Sequence, residues 1–433
     1  MTVKDLRDHS SKRRVLLQRL AAGASASLIL RAPGASLAAS PDDPARAGGK
    51  IQATPARRRE GDMVYRRLGR TDLWISEISL GGSPLPDERL LYGLLDRGVN
   101  YIDTSDSYEN GNAERKTGRA VKRFGRDKIH LHARFHLQGP WTEASIIASV
   151  EGSLRRLAMD DVDILGIHGV ENAEHLTDDR ILGAFEKLKT RGIYRFRGLT
   201  CHVNAHAVIP KAVESGLYDM VQIGYNVFDI QETEKNVQTY NDYLGESGIR
   251  KLIDLCRTRD IGVTAMKVLK IGGRRQALTA DQTAGGLFPA MLKWALGNDH
   301  VASVVTEILN EEQMEQDLGA VGKSLTAAER RGLYEHVAAN VRDYCHFCGA
   351  CEKACPASVP TARISRSLVY LESYGKPDRA GEEYRSALGE GTSAPVCADC
   401  GACERSCPYG LPVRARTRRA SALSSGTHHS TPK

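Results

Sequence analysis

Between Glu77 and about Val321, short β-branched runs alternate with longer stretches whose apolar positions recur every three or four residues. The short runs predict strands over 77–82, 99–104, 129–134, 162–168, 196–202, 220–226, 262–268 and 301–307. The longer ones predict helices, among them 145–157, 180–191, 249–259 and 287–297. Eight strands, each followed by a helix, over roughly 250 residues predict a (β/α)₈ barrel, with a doubly wound open sheet as the alternative. No apolar run reaches the roughly 18 residues that a membrane span requires, so an integral membrane fold is excluded at this stage.

The two ends have a different pattern. Residues 1–38 run from a basic, polar start through Lys12-Arg13-Arg14-Val15-Leu16-Leu17 into a mildly apolar stretch, Leu20 to Leu30, and then Ser36-Leu37-Ala38. That order resembles a twin-arginine signal peptide and implies the export machinery as a partner and a periplasmic destination in a Gram-negative cell. An uncleaved basic leader on a cytoplasmic protein is the alternative. Residues 39–60, rich in Pro, Ala, Arg and Gly, predict a flexible linker, and residues 414–433 a basic disordered tail. The chain has 433 residues and a net charge of +7. Its first 60 residues carry 12 basic and 5 acidic side chains and residues 408–433 carry five basic and none acidic, leaving −5 for 61–407. The excess positive charge lies outside the folded middle, which argues against a nucleic-acid partner.

A barrel gathers its chemistry where the strands end. The second strand ends in Asp103-Thr104-Ser105-Asp106-Ser107-Tyr108, the third in His132-Ala133-Arg134 and the fourth in Asp163-Ile164-Leu165-Gly166-Ile167-His168. On one rim Tyr108 can donate a proton, Arg134 can stand beside it as a fixed cation, Asp103 can hold the cation and His168 can orient a carbonyl. Over about residues 63–320 the chain resembles the aldo/keto reductases. The shared motifs are Leu68-Gly69-Arg70-Thr71, the run from Gly98 through Asp103 to Tyr108, Ala113-Glu114 leading to Gly118, the strand ending in His168, Val221-Gln222 with Tyr225-Asn226, and Gly262 to Lys267. The resemblance implies reduction of a small aldehyde or ketone, or oxidation of an alcohol, with a nicotinamide dinucleotide. It makes Asp103, Tyr108 and His168 members of the family's catalytic tetrad, with Arg134 where the family has lysine. Arginine keeps the charge but is larger, planar and unable to deprotonate, and a purely structural Arg134–Asp103 pair is the other reading.

The resemblance also places Thr200, His202, Gln222 and Lys267 on the cofactor side. After the last strand the chain reads Thr306-Glu307-Ile308-Leu309-Asn310-Glu311-Glu312. These carboxylates repel a 2′-phosphate, so NAD is favoured over NADP unless Arg274 or Arg275 reaches across.

Eight of the ten cysteines form two C-x2-C-x2-C-x3-C-P motifs, Cys345, Cys348, Cys351, Cys355 and Cys397, Cys400, Cys403, Cys407. This is the bacterial ferredoxin spacing for two [4Fe–4S] clusters, in which the cysteine before proline ligates the other cluster. Cys345, Cys348, Cys351 and Cys407 are then one set, and Cys397, Cys400, Cys403 and Cys355 the second. Zinc is the alternative, although zinc ribbons take two ligands from each C-x2-C unit. Helical patterns near 361–373 and 378–388 between the motifs predict a helical, ferredoxin-like dicluster domain. The domains are thus a barrel over 61–325 and a dicluster domain over 326–413, an arrangement found in an iron–sulfur subgroup of the aldo/keto reductases. Two functions follow: a carbonyl reductase that exchanges electrons with a redox protein, or an electron-transfer protein whose barrel has lost hydride chemistry.

Overall fold

The computed structural model describes residues 57–137, 139–229, 248–269, 286–340, 345, 347–372, 377–389 and 397–422. The proposed leader, Arg274, Arg275 and the chain beyond Ala422 lie outside the described residues. Strands β1 (Arg57–Glu60), β2 (Met63–Arg67) and β3 (Trp74–Ser76) form an antiparallel sheet. The closed barrel follows, in parallel order: β4 (Ile78–Gly81), β5 (Tyr101–Ser105), β6 (His130–Phe135), β7 (Val162–Ile167), β8 (Tyr194–Cys201), β9 (Met220–Gly224), β10 (Gly262–Met266) and β11 (Val301–Thr306). All eight strands predicted from the pattern are present, and β11 pairs with β4, so the open-sheet alternative is excluded.

The barrel helices are α1 (Glu88–Asp96), α2 (Asn112–Phe124), α3 (Glu143–Leu157), α4 (Asp179–Thr190), α5 (Ala205–Ser215), α6 (Gly248–Arg257), α7 (Leu287–Leu296) and α8 (Glu311–Leu318). Their starts follow capping chemistry. Asp87 and Asp178 accept from the backbone at the N-termini of α1 and α4, and Thr142 and Ser145 form a reciprocal capping box on α3.

The small sheet closes the bottom of the barrel. Leu68, Leu73 and Ile75 pack on Tyr101, Ile164, Met220 and Ala302 near the strands' N-terminal ends. Beside them Arg66 and Glu77 are almost wholly buried and paired at 2.7 Å. Three more guanidinium hydrogens go to the carbonyls of Leu296, Asn298 and Val301, and Glu77 accepts from the Gly322 N–H. The pair is fully satisfied, which is the condition for burying charge, and losing one partner would cost about 3–5 kcal/mol. Inside the barrel His132 lies against β7 and β8. A Cβ at Gly166 would sit 2.4 Å from His132 Nε2, so the imidazole occupies space that only glycine leaves open.

Helix α9 (Ala327–Asn340) belongs to the barrel rather than to the dicluster domain that the sequence reading began at residue 326. Leu333 and Val337 enter the barrel's core, Lys293 Nζ pairs with Glu329 at 2.5 Å, and His336 meets the Phe228 ring edge-on. Beyond it come α10 (Ala350–Lys353), α11 (Thr361–Glu372), α12 (Pro377–Leu388), α13 (Ala402–Arg405) and α14 (Val413–Ser421). Helices α11 and α12 pack through Ile364, Leu368, Ala380 and Tyr384. Val203, just after β8, packs with Phe347, Cys351 and Val369, and the Asn204 N–H donates to the Phe347 carbonyl at 3.3 Å.

The described parts of the expected linker and tail are regular. Arg57–Glu60 form a strand because Arg57 pairs with Asp299 at 2.8 Å and Arg58 lies 3.7 Å above the Trp74 ring. The start of the basic tail is helical because Arg414 pairs with Glu404 and Ala420 is buried.

Candidate active site and cysteine cavities

Strand alternation sends Asp103 and Ser105 of β5, and His132 and Arg134 of β6, to related positions in adjacent strands. At their C-terminal ends Arg134 Nη2 donates to Asp103 Oδ2 at 2.5 Å and to the Tyr108 hydroxyl at 2.7 Å. Its Nη1 is 3.4 Å from Thr200 Oγ1. The second oxygen of Asp103 lies 3.3 Å from His132 Nδ1, and Gln222 Nε2 donates to Oδ2 at 3.2 Å. Arg134 and Asp103 are buried, and Asp103 and Tyr108 both line the cavity. The ring of His168 meets that of Tyr108 edge-on at 5.4 Å.

The protonation states follow from burial and from Arg134. Burial pushes the Tyr108 phenol above its ordinary value although Arg134 pulls it down, so the proton is retained at neutral pH. Burial, reinforced by the Arg134 charge, holds His168 well below the usual histidine value, so the imidazole is neutral. Burial disfavours the charge on Arg134, but Asp103 and Tyr108 more than offset this.

A network beside the tetrad was not anticipated from the sequence. Ser105 Oγ lies 2.8 Å from His168 Nδ1 and donates to Asp106 at 3.0 Å, and His136 Nδ1 is 2.7 Å from Asp106 Oδ1. Burial works against the Asp106 carboxylate, yet hydrogen bonds from His136 and Ser149 hold it down to about 2. The His132-x-Arg134-x-His136 alternation was the available signal.

Asp103, Tyr108, His136 and His168 line a cavity of about 480 Å³, within the ordinary range for ligand sites. Of the four residues expected on the cofactor side, His202, Gln222 and Lys267 line it. Thr200 does not: it is fully buried, accepting from the Gly169 N–H at 2.8 Å and from Arg134. Glu307 and Gln313 line the β11 end, and Asn310 caps α8, whose first turn holds Glu311 and Glu312. The opposite wall was not foreseen: Arg363, Arg366 and Tyr370 of α11 and Arg379 and Glu383 of α12 face the barrel rim. Arg366 binds Glu383 Oε2 through Nε at 2.9 Å and lies 3.5 Å from Glu171, which follows the fourth barrel strand.

The cysteines gather in two cavities. Cys345, Cys348, Cys351 and Cys407 line one, and Cys355, Cys397, Cys400 and Cys403 line the other. The last cysteine of each motif crosses to the other motif's cavity, giving two four-thiol sets with the ligand chemistry of four-iron clusters. Cys201 and Cys256 are buried apart, their thiols pushed up by burial.

Comparison with known proteins agrees with both halves. Residues 86–287 match the model of the aldo/keto reductase family and residues 344–412 that of the 4Fe-4S dicluster domain. The protein therefore carries an aldo/keto reductase domain on a (β/α)₈ barrel and an iron–sulfur dicluster domain, a pairing that supports an electron-transfer oxidoreductase. It is similar to an uncharacterized oxidoreductase of Bacillus subtilis (strain 168), at 25% identity over 63% of this chain and 96% of the relative. It is also similar to the NADH-specific methylglyoxal reductase of Escherichia coli (strain K12), at 26% identity over 51% of this chain and 71% of the relative. Among solved structures, an aldo-keto reductase from Bacillus halodurans in its holo form aligns with a TM-score of 0.49 and 25% identity, covering 63% of this chain and 95% of that one.

Proposed function

We propose that the protein is an exported, NAD-linked carbonyl reductase, or alcohol dehydrogenase in reverse, that exchanges electrons with a redox protein through two [4Fe–4S] clusters. The observation that carries the reading is the Tyr108 hydroxyl, held by Arg134 at 2.7 Å and open to the cavity. In the reductive direction NADH, a proton and a carbonyl compound give NAD and an alcohol. A bound nicotinamide would supply hydride to the carbonyl carbon, and the chain's own residues manage the oxygen. Tyr108 gives the proton, and the charged Arg134, fixed by Asp103, stabilises the phenolate left behind. Neutral His168 is tethered at Nδ1 by Ser105, whose one proton goes either to Asp106 or to Nδ1; in the second arrangement the ring proton sits on Nε2 and orients the substrate oxygen.

Gln222, His202 and Lys267 on the cavity wall would hold such a cofactor, with Thr200 supporting Gly169 from beneath. Glu307 and the two glutamates opening α8 favour NAD, as does likeness to an NADH-specific relative. The two cysteine sets would hold the clusters, each passing one electron. Export is supported by the order of the leader's features: paired arginines, mild apolar run, small-residue cleavage site. The second reading, an electron-transfer protein without hydride chemistry, is favoured by Arg134 standing where the family has lysine.

Native mass spectrometry of anaerobically purified protein, with NADH and NADPH oxidation assayed against small aldehydes, tests the choice. Bound dinucleotide and NADH-dependent turnover support the first reading. Loaded clusters with neither would establish the second.

A further inference from the structure

The two four-cysteine cavities differ in what surrounds them. The one lined by Cys345, Cys348, Cys351 and Cys407 faces the barrel: its Phe347 and Cys348 also line a small cleft shared with His202, Lys267, Arg366 and Tyr370. Those four residues in turn line the substrate cavity. The cavity lined by Cys355, Cys397, Cys400 and Cys403 is walled, among the described residues, by the C-terminal domain alone; its Ala398 and Cys400 are exposed, as is Asp399 between them.

Around that exposed loop the charge is uneven. Arg405 Nη1 donates to the Cys400 carbonyl at 3.0 Å, Arg414 Nη1 to the Asp399 carbonyl at 3.3 Å, and Arg418 Nη2 to Asp399 Oδ1 at 2.5 Å. Asp399 is shared by Arg414 and Arg418, and Glu372 by Arg416 and Arg419. Helix α14 contributes four arginines and no acid, so among the described residues these four are paired with three acids, Asp399, Glu404 and Glu372, and Arg405 stands beside them as a fifth cation.

We infer that the exposed Ala398–Cys400 loop, with Arg405 and the exposed Arg418 and Arg419 of α14, is the docking surface for a small acidic one-electron carrier protein. The outward cysteine set is where electrons are exchanged with it, and the set containing Cys348 stands between that set and the substrate cavity. The inference rests on the reading that the cysteines hold two four-iron clusters. Each productive encounter oxidises the reduced carrier by one electron and reduces one cluster by one. An arginine surplus around the entry point attracts an acidic carrier and orients it with the exposed loop inward.

The test uses the cluster-loaded full chain and a reduced, acidic plant-type [2Fe–2S] ferredoxin as probe, with basic cytochrome c for comparison. Binding is read by titration calorimetry and electron entry by stopped-flow bleaching of the clusters. The paired substitution Arg418→Glu with Arg419→Glu should lower both affinity and second-order rate by about tenfold or more, and raising the ionic strength should weaken wild-type binding. Arg405→Gln, which removes one charge and one carbonyl contact, should give a smaller loss in the same direction. Arg191→Glu, on the barrel's outer surface, should change neither readout. Undiminished affinity and rate in the arginine variants that retain wild-type iron content, equal losses in Arg191→Glu, or tighter binding of cytochrome c would overturn the inference. If the paired substitution fails to load clusters, Arg405→Gln and the wild-type salt dependence decide. Absence of clusters from wild type is a separate outcome, and it would remove the underlying reading instead.

Discussion

Arg134 and Tyr108 are joined by a 2.7 Å hydrogen bond in which the same guanidinium nitrogen also holds Asp103. The phenol therefore has a fixed cation at its oxygen, and the proton it gives up leaves an anion already paired. Replacing Tyr108 with Phe keeps the ring's contact with His168 and removes only the donor. Turnover of small aldehydes with NADH should fall by roughly 10²–10⁴-fold, as for loss of a general acid, with little change in melting temperature. Unchanged turnover in Tyr108→Phe would defeat the catalytic assignment.

Substitutions at Arg134 separate charge from shape. Lysine can keep a cation between Asp103 and Tyr108 but lacks the second arm that reaches Thr200, so Arg134→Lys should retain or raise turnover. Arg134→Met leaves the Asp103 carboxylate buried without its cation, and denaturant unfolding should show a loss of about 3–5 kcal/mol, together with lost turnover. If both variants unfolded like wild type, the buried pair would be contributing nothing to the barrel.

The eight barrel strands were legible because each pairs β-branched runs with an amphipathic helix, a signal carried within about thirty residues. Asp103, Tyr108 and His168 were legible through motifs in chain order, and Arg134 through the register of the Arg126-Asp127-Lys128-Ile129 run. The far wall of the cavity was not. Arg366 contacts Glu171 across 195 positions of sequence, and no local periodicity encodes a meeting of that kind. Thr200 was expected beside the cofactor from the resemblance alone, which aligns a residue along its strand but does not give its depth below the cavity. The Arg-rich ends read as solvated because their partners, Trp74, Asp299, Glu404 and Asp399, are supplied by tertiary structure alone.

Burial depresses the proton affinity of His132 and His168, and less completely that of His175, His300 and His336. The unfolded chain binds protons at these residues near pH 6.5 and the folded chain only at lower pH, so stability rises with pH. Their contribution is fully present above about pH 6.5 and declines below it, by up to about 1.4 kcal/mol per pH unit for each histidine that charges only on unfolding. Asp106, held down to about 2, adds its own loss only at lower pH. Melting temperatures should therefore be level between neutral and mildly alkaline pH and fall steadily from pH 6.5 to 5, and a flat profile over that interval would contradict the buried, neutral state of these rings.

Localisation has its own test. Changing Arg13 and Arg14 to Lys should leave a folded, cluster-loaded precursor in the cytoplasm if the leader is read by the twin-arginine route, which carries folded cargo. Fractionation that found wild-type protein only in the cytoplasm and uncleaved would reject export.

The crossing of the cysteine motifs makes the sharpest analytical prediction. Anaerobic wild-type protein should contain about eight irons and eight sulfides, as two four-iron clusters require; stoichiometric zinc without sulfide would reject both. Cys345 and Cys407 belong to different motifs but line one cavity, whereas Cys403 and Cys407 belong to one motif but line different cavities. The double substitution Cys345→Ser with Cys407→Ser should therefore damage a single cluster and leave about four irons. Cys403→Ser with Cys407→Ser should damage both and leave few or none. If each motif held its own cluster the order would reverse, with the second pair retaining about four irons and the first losing both. Iron and sulfide analysis beside electron paramagnetic resonance of the reduced proteins distinguishes the two arrangements, because a surviving lone cluster loses the magnetic coupling that two neighbouring reduced clusters show.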